Sequence, residues 1–154
     1  PKFIATKPAA RGGCAQSFSP TEIKNYPVQG TGGEWAKAAM YLSLRAFYRR
    51  GNFDGHALLV HQVHDAVDVD ADGEVATEAA ALLHACMLEA STYMDWWFSW
   101  PLPLGVPCET KMGSNMMEEL NPPEEFAPMA AGFRSWVRKE FCNGHTPNYE
   151  KETA

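Results

Sequence analysis

The chain has 154 residues, of which 45% are hydrophobic and 21% charged, so it is long enough for one globular domain with a real core and is not disordered. The net charge of -6 argues against a nucleic-acid partner, but residues 1–50 carry eight basic and two acidic side chains, whereas the rest carries five and 17. Such asymmetry indicates that one half faces a polyanion, the alternative being a coincidence of surface composition.

The cysteines show no paired spacing, which argues against zinc fingers and thioredoxin-like chemistry. Nothing in the sequence suggests a disulfide framework either, so we expect a reducing, cytoplasmic setting, bacterial or in a virus-infected host. The chain contains no uncharged run of 18 apolar residues and no signal-peptide pattern, so no membrane partner is expected. The cysteines are Cys14, Cys86, Cys108 and Cys142.

The predicted elements begin with a short strand, Lys2 to Thr6, followed by loop up to residue 20. This irregular start is typical of a chain that enters from elsewhere. Apolar residues at helical spacing predict a helix over residues 30–50. Gly30 loosens its first turn, and Gly51-Asn52 ends it.

Two consecutive segments then predict a β-hairpin. Ala57 to Val63 is an apolar, β-branched run, and Ala66 to Asp70 alternates apolar with acidic residues. The two polar residues between them, His64 and Asp65, are expected at the tip of the hairpin.

The remaining pattern predicts a helix over residues 73–94 with Asp72 as N-cap, followed by a Trp-rich turn. Val106 to Met112 is predicted to form a short strand that Gly113 ends. A breaker-rich linker then leads to a helix from about Ala130 to Phe141, and the last dozen residues are expected to fray.

This order of elements predicts an α+β fold, in which a small antiparallel sheet packs on two long helices and a helical appendix follows. We expect three parts. Residues 1–20 form an entering strand and loop, residues 21–119 the main domain, and residues 120–154 a C-terminal extension.

Three blocks resemble family A (DNA polymerase I-like) DNA polymerases. Residues 25–31 (NYPVQGT) are similar to the N-x-P-[IVM]-Q-G-T run that opens a long helix of the palm. Residues 63–65 (VHD) resemble polymerase motif C, and residues 106–115 (VPCETKMGSN) are similar to the last palm strand. Each block alone is weak, but all three stand in the family's order. The resemblance covers residues 21–119 and implies a portion of the palm subdomain.

By this resemblance, Asp65 binds metal, since nucleotidyl transfer uses two Mg²⁺ ions and Mg²⁺ prefers carboxylate oxygens. His64 contacts the primer end, unless it is only a turn histidine bonded to backbone. Asn25 and Gln29 contact the minor groove of the duplex, whose acceptors are present for every base pair, unless they only cap the helix. Among the basic residues of the first fifty, Lys24 is the first candidate to contact a phosphate of the DNA backbone.

The sequence also departs from the family. Motif C commonly reads H-D-E, but residue 66 is alanine, and Asp68 is a candidate to compensate. Motif A and the fingers helix have no counterpart here. We therefore predict that the isolated chain is inactive. It is expected to contribute to DNA polymerisation together with an N-terminal polymerase fragment, on primer-template DNA and dNTP as substrates. The altered motif C and the Lys-Met-Gly-Ser-Asn ending point to a phage-like branch.

Two alternatives stay open. The first is a non-catalytic, palm-derived scaffold of a replication complex, consistent with Ala66. The second is a metal-dependent hydrolase using His61, His64 and Asp65, although residues three apart on a strand point to opposite faces. In either polymerase-related interpretation, an aromatic cluster is the expected docking face unless it fills the core. Its members are Trp96, Trp97, Phe98 and Trp100.

Overall fold

The computed structural model describes residues 5–8, 14–17, 20–102 and 104–151. The chain divides into two compact units, residues 1–34 and 35–154, and each is described by itself. The class is α+β, as predicted, with two separate two-stranded antiparallel sheets. The elements are β1 Ala5–Pro8, β2 Cys14–Ser17, α1 Pro20–Arg49, α2 Gly51–Asp54, β3 Ala57–Val63, β4 Ala66–Ala71, α3 Ala76–Phe98, α4 Phe126–Phe141 and α5 Asn148–Lys151.

In the described part of the first unit, β1 pairs antiparallel with β2, from Ala5 opposite Ser17 to Pro8 opposite Cys14. Residues 2–4 of the predicted strand lie outside the described residues, and β2 occupies a segment predicted to be loop. Helix α1 crosses the division between the units and starts at Pro20, well before the predicted residue 30. Proline and glycine disfavour helix interiors, yet Pro27 lies inside α1, where its carbonyl accepts a 2.8 Å bond from Thr31 Oγ1.

The core of the second unit lies between α1, α3 and one face of the β3–β4 hairpin. Leu42 of α1 and Leu82 of α3 are completely buried in it. Leu59, Val67 and Val69 pack against this core from the hairpin. Because side chains alternate across a strand, this packing leaves the acidic residues of β4 on the opposite face.

A single turn with left-handed backbone, α2, connects α1 to β3. Asn52 and Phe53 have φ angles of 51° and 55°, a conformation that costs about 1–2 kcal/mol per residue relative to the right-handed one. Phe53 is buried and meets Phe47 edge-on at 5.6 Å, and this burial offsets part of the strain. The prediction that Gly51-Asn52 ends the helix is confirmed, since α1 stops at Arg49.

Helix α3 begins at Ala76, and Asp72 is not its N-cap. The preceding residue, Val75, makes no side-chain cap hydrogen bond, and Asp72 Oδ2 lies 2.6 Å from Nδ1 of His56 instead. The helix ends at Phe98 rather than residue 94, so the first part of the predicted Trp-rich turn, residues 94–98, is helical. Helix α3 is buried over much of its surface, and α4 packs along it.

The predicted strand at residues 106–112 is not part of a sheet. Its residues do alternate between partly covered and exposed, and Cys108 Sγ lies 3.8 Å from Met87 Sδ of α3. Among the described residues its ladder is limited to one bridge, between Met112 and Leu120. Pro107 lacks the N–H that a ladder needs, so the segment lies extended against α3 without a strand partner.

The C-terminal extension is an integral part of the second unit rather than an appendix. Helix α4 starts at Phe126, earlier than the predicted Ala130, and packs along α3. The carboxylate of Glu89 on α3 is fully buried and accepts bonds of 2.8 Å from Nε of Arg134 and from Nε of Arg138. The expected fraying is wrong for the described part of the end, because Glu150 of α5 accepts a 2.7 Å bond from Arg138 Nη1.

Glu150 provides a pH-dependent contribution to stability. The hydrogen bond from Arg138 lowers the pKa of Glu150 below its ordinary value of 4.5. A carboxyl with a lower pKa in the folded state stabilises the fold above the unfolded-state pKa, and this contribution is lost as the pH falls through the folded-state value. We expect Glu150→Gln to unfold at lower urea concentration than the wild type at pH 7, with the difference shrinking below pH 4.5.

The matched control is Glu124→Gln, an exposed glutamate with no ion pair to the described residues. It is expected to follow the wild type at every pH. Identical pH dependence for Glu150→Gln and the wild type in urea titrations would contradict the proposed role of this carboxylate.

Candidate functional site

The hairpin predicted around His64 and Asp65 is present, with a two-residue tip. Val63 pairs with Ala66, which leaves His64 and Asp65 as the connecting residues. His64 has a φ of 53°, the left-handed backbone that two-residue hairpin loops require, and its carbonyl accepts a 3.2 Å bond from Gln62 Nε2. Both side chains at the tip are exposed. The tip is therefore a rigidly connected turn that presents one imidazole and one carboxylate to solvent.

A register shift in β3 determines which side chains face each other across the hairpin. The shift falls between Leu59 and His61, so that Val60 is the extra residue. It places His61 opposite Asp68, with 3.3 Å between Nδ1 and Oδ2. Asp68, the candidate to compensate for the missing glutamate, therefore already has a cross-strand partner, and so does one histidine of the hydrolase alternative.

Asp65 itself makes no hydrogen bond or ion pair to any described residue. An exposed carboxylate at the end of an anchored hairpin suits a hard cation such as Mg²⁺, which takes few protein ligands and keeps water and substrate oxygens. In the part of the chain that the structure describes, no three His, Cys, Asp or Glu residues gather into a group that could hold a metal ion. Asp65 thus fits one ligand position of an Mg²⁺ site, and a complete site would need further ligands.

The predicted DNA contacts of the first unit lie on α1. Asn25 and Gln29 are four residues apart, so they share one helix face, and both are exposed, as is Lys24. The alternative that Asn25 and Gln29 only cap the helix is wrong, because the helix begins at Pro20. They belong to the first unit, whereas His64 and Asp65 belong to the second.

The third block of the resemblance ends in a tight turn. A side chain at Gly113 would come within 2.4 Å of the Glu118 carbonyl, so the close approach requires glycine. The N–H and hydroxyl of Ser114 donate to the Glu118 carboxylate at 2.7 and 2.9 Å. These bonds hold the pKa of Glu118 below its ordinary value. Met116 and Met117 project from the same turn and are almost fully exposed.

The aromatic cluster at residues 96–100 is partly core and partly exposed, the two roles that the sequence left open. Trp96 packs against the core, whereas Trp97, Phe98 and Trp100 are exposed. Sequence reasoning missed the exposed apolar residues of α1 that continue this surface. Their signal was a second stripe at helical spacing, opposite the buried one: Tyr41, Leu44 and Tyr48.

Comparison with known proteins returns no match: no protein-family model, curated protein or solved structure is significantly similar to this chain. Within the described ranges, none of the helices combines the length and apolarity needed to cross a lipid bilayer.

Proposed function

We propose that this chain is the C-terminal palm portion of a template-directed DNA polymerase of family A. The observation that carries the proposal is the His64-Asp65 tip. A hairpin anchored on the core by Val67 and Val69 presents an uncommitted carboxylate, in a sequence that resembles motif C. Solvent exposure leaves Asp65 accessible to a metal and to a primer terminus.

In this proposal Asp65 would hold Mg²⁺ together with carboxylate from a partner. Two such ions, roughly 3.5–4 Å apart, would supply activation of the primer 3′-hydroxyl and stabilisation of the leaving pyrophosphate. His64 would contact the primer end, and its left-handed backbone sets the direction in which the chain turns at the tip. Asn25 and Gln29 would donate hydrogen bonds to minor-groove acceptors of the duplex, and Lys24 would contact a phosphate.

The isolated chain is expected not to extend a primer, because one carboxylate does not assemble a two-metal site. The test is primer extension with Mg²⁺ and dNTPs at high protein concentration, with the chain alone and with the product of the reading frame immediately upstream. We expect synthesis only in the second case. Extension by the chain alone that depends on Asp65 would overturn the need for a partner.

One observation favours a second candidate, a palm-derived scaffold without catalysis. Alanine at position 66, directly after Asp65, removes a carboxylate that the resemblance places beside the metals. If the upstream product binds the chain tightly but no Asp65-dependent synthesis follows, the scaffold is the better description.

A further inference from the structure

An exposed apolar stripe runs along α1 on the side away from the core. Tyr41, Leu44 and Tyr48 are 45%, 54% and 78% exposed, and their spacing places them on one helix face. Exposed apolar side chains that lie together, rather than singly, are typical of binding surfaces.

Stacked rings connect this stripe to the end of α3. Tyr41 stacks on Tyr93 with centroids 5.4 Å apart, and Tyr93 stacks on Trp97 at 6.2 Å with planes only 6° apart. Tyr93 is itself buried, whereas Trp97 and Phe98 are about 60% exposed. Tyr41, Leu44, Tyr48, Trp97, Phe98 and Trp100 together form what we call the aromatic face.

The cation beside the aromatic face is Arg45. Residues 35–53 contain one lysine, three arginines and no acidic residue, but Arg49 and Arg50 are paired with Glu140 and Glu78. Arg45 is exposed and has no ion pair to the described residues. Arg45 lies four residues after Tyr41 on α1, so the two side chains are neighbours on the helix surface. Burial raises the pKa of Tyr93 to about 12, and the positive charge of Arg45 acts in the opposite direction. Asp95, the acid nearest in sequence to Trp97, is mostly buried and lies 2.9 Å from His145 Nε2.

We propose that the aromatic face binds single-stranded nucleic acid, with bases stacking on Tyr41 and Trp97 and Arg45 contacting a phosphate. Aromatic rings beside a cation such as Arg45 are the combination that single strands bind, since every base has a face for stacking and the backbone carries phosphates. In a duplex the faces of the bases stack on neighbouring base pairs and are not available to aromatic side chains. An apolar protein partner would bury Arg45 without a counter-charge, which is costly. The face shares no residue with the hairpin, so this proposal is independent of the role of Asp65.

The test measures binding of a short fluorescein-labelled oligo(dT) to the purified chain by anisotropy and by quenching of tryptophan fluorescence. Trp97→Ala is expected to weaken binding about tenfold, whereas Trp97→Phe retains a ring and keeps most of the affinity. Arg45→Gln is expected to lower the salt dependence by about 0.7 in the slope of log K against log salt, as the loss of one phosphate contact does. Lys139→Gln, an exposed lysine on α4, is the charge-matched control and should bind as the wild type.

Far-UV circular dichroism establishes that each variant is folded, which we expect because the replaced side chains are exposed. The proposal is overturned if the wild type does not bind oligo(dT), if it prefers a duplex of the same length, or if Trp97→Ala and Arg45→Gln bind unchanged. Self-association that Trp97→Ala abolishes, without oligonucleotide binding, would also overturn it and identify the face as a protein interface.

Discussion

Replacing Glu89 by alanine is expected to lower the free energy of unfolding by about 3–5 kcal/mol. The carboxylate is completely buried and holds two guanidinium groups of α4 through bonds of 2.8 Å. Removing it leaves Arg134 and Arg138 partly desolvated without that counter-charge, and a charge buried in this way costs more than the intact pair contributes. Urea unfolding followed by far-UV circular dichroism measures the loss.

The matched control for Glu89 is Glu150→Gln, which removes the charge from a carboxylate that binds the same two arginines at the surface. Exposed pairs contribute at most about 1 kcal/mol, so the two variants should differ severalfold. Limited proteolysis of Glu89→Ala is expected to cut first in the linker before Phe126, because α4 loses its attachment to α3. A loss under about 1 kcal/mol for Glu89→Ala would contradict the role assigned to this carboxylate.

Asp65→Asn is expected to reduce primer extension by the reconstituted polymerase about 1,000-fold or more. A metal-binding carboxylate supports several kcal/mol of transition-state stabilisation, and each 1.36 kcal/mol corresponds to about tenfold in rate. Because the side chain is exposed and makes no hydrogen bond or ion pair with the described residues, the amide should not change folding. Single-turnover extension rates at saturating dNTP measure the effect directly.

Asp70→Asn provides the matched control, since it makes the same change at an exposed position of β4, the strand that follows Asp65, away from the tip. It should keep its rate within a few-fold. Affinity for primer-template DNA, measured by anisotropy without dNTP, should stay similar in both variants. Equal rates for Asp65→Asn and the wild type would remove Asp65 from the proposed catalytic site.

The pattern of residues that are neighbours in sequence was sufficient to predict the β3–β4 hairpin. The β-branched run, the two polar residues and the alternating acidic strand predicted a turn at His64-Asp65, and the register places the turn there. Helix positions were less accurate. The start of α1 was predicted too late because Pro27 and Gly30 disfavour helix, yet both lie inside it. The pattern of residues 73–94 likewise could not show that α4 would pack along α3.

Periodicity and turn chemistry, which act between neighbours in sequence, accounted for the class of fold, the end of α1 and the two residues at the tip. Contacts between distant residues were decided only by packing. Glu89 meets Arg134 and Arg138 across 45 and 49 positions, and no local pattern distinguishes this buried carboxylate from a solvated one. The same holds for the stack of Tyr41, Tyr93 and Trp97, which joins two helices. It also holds for residues 106–112, which alternate as a strand does but pair with the described residues through a single bridge, between Met112 and Leu120.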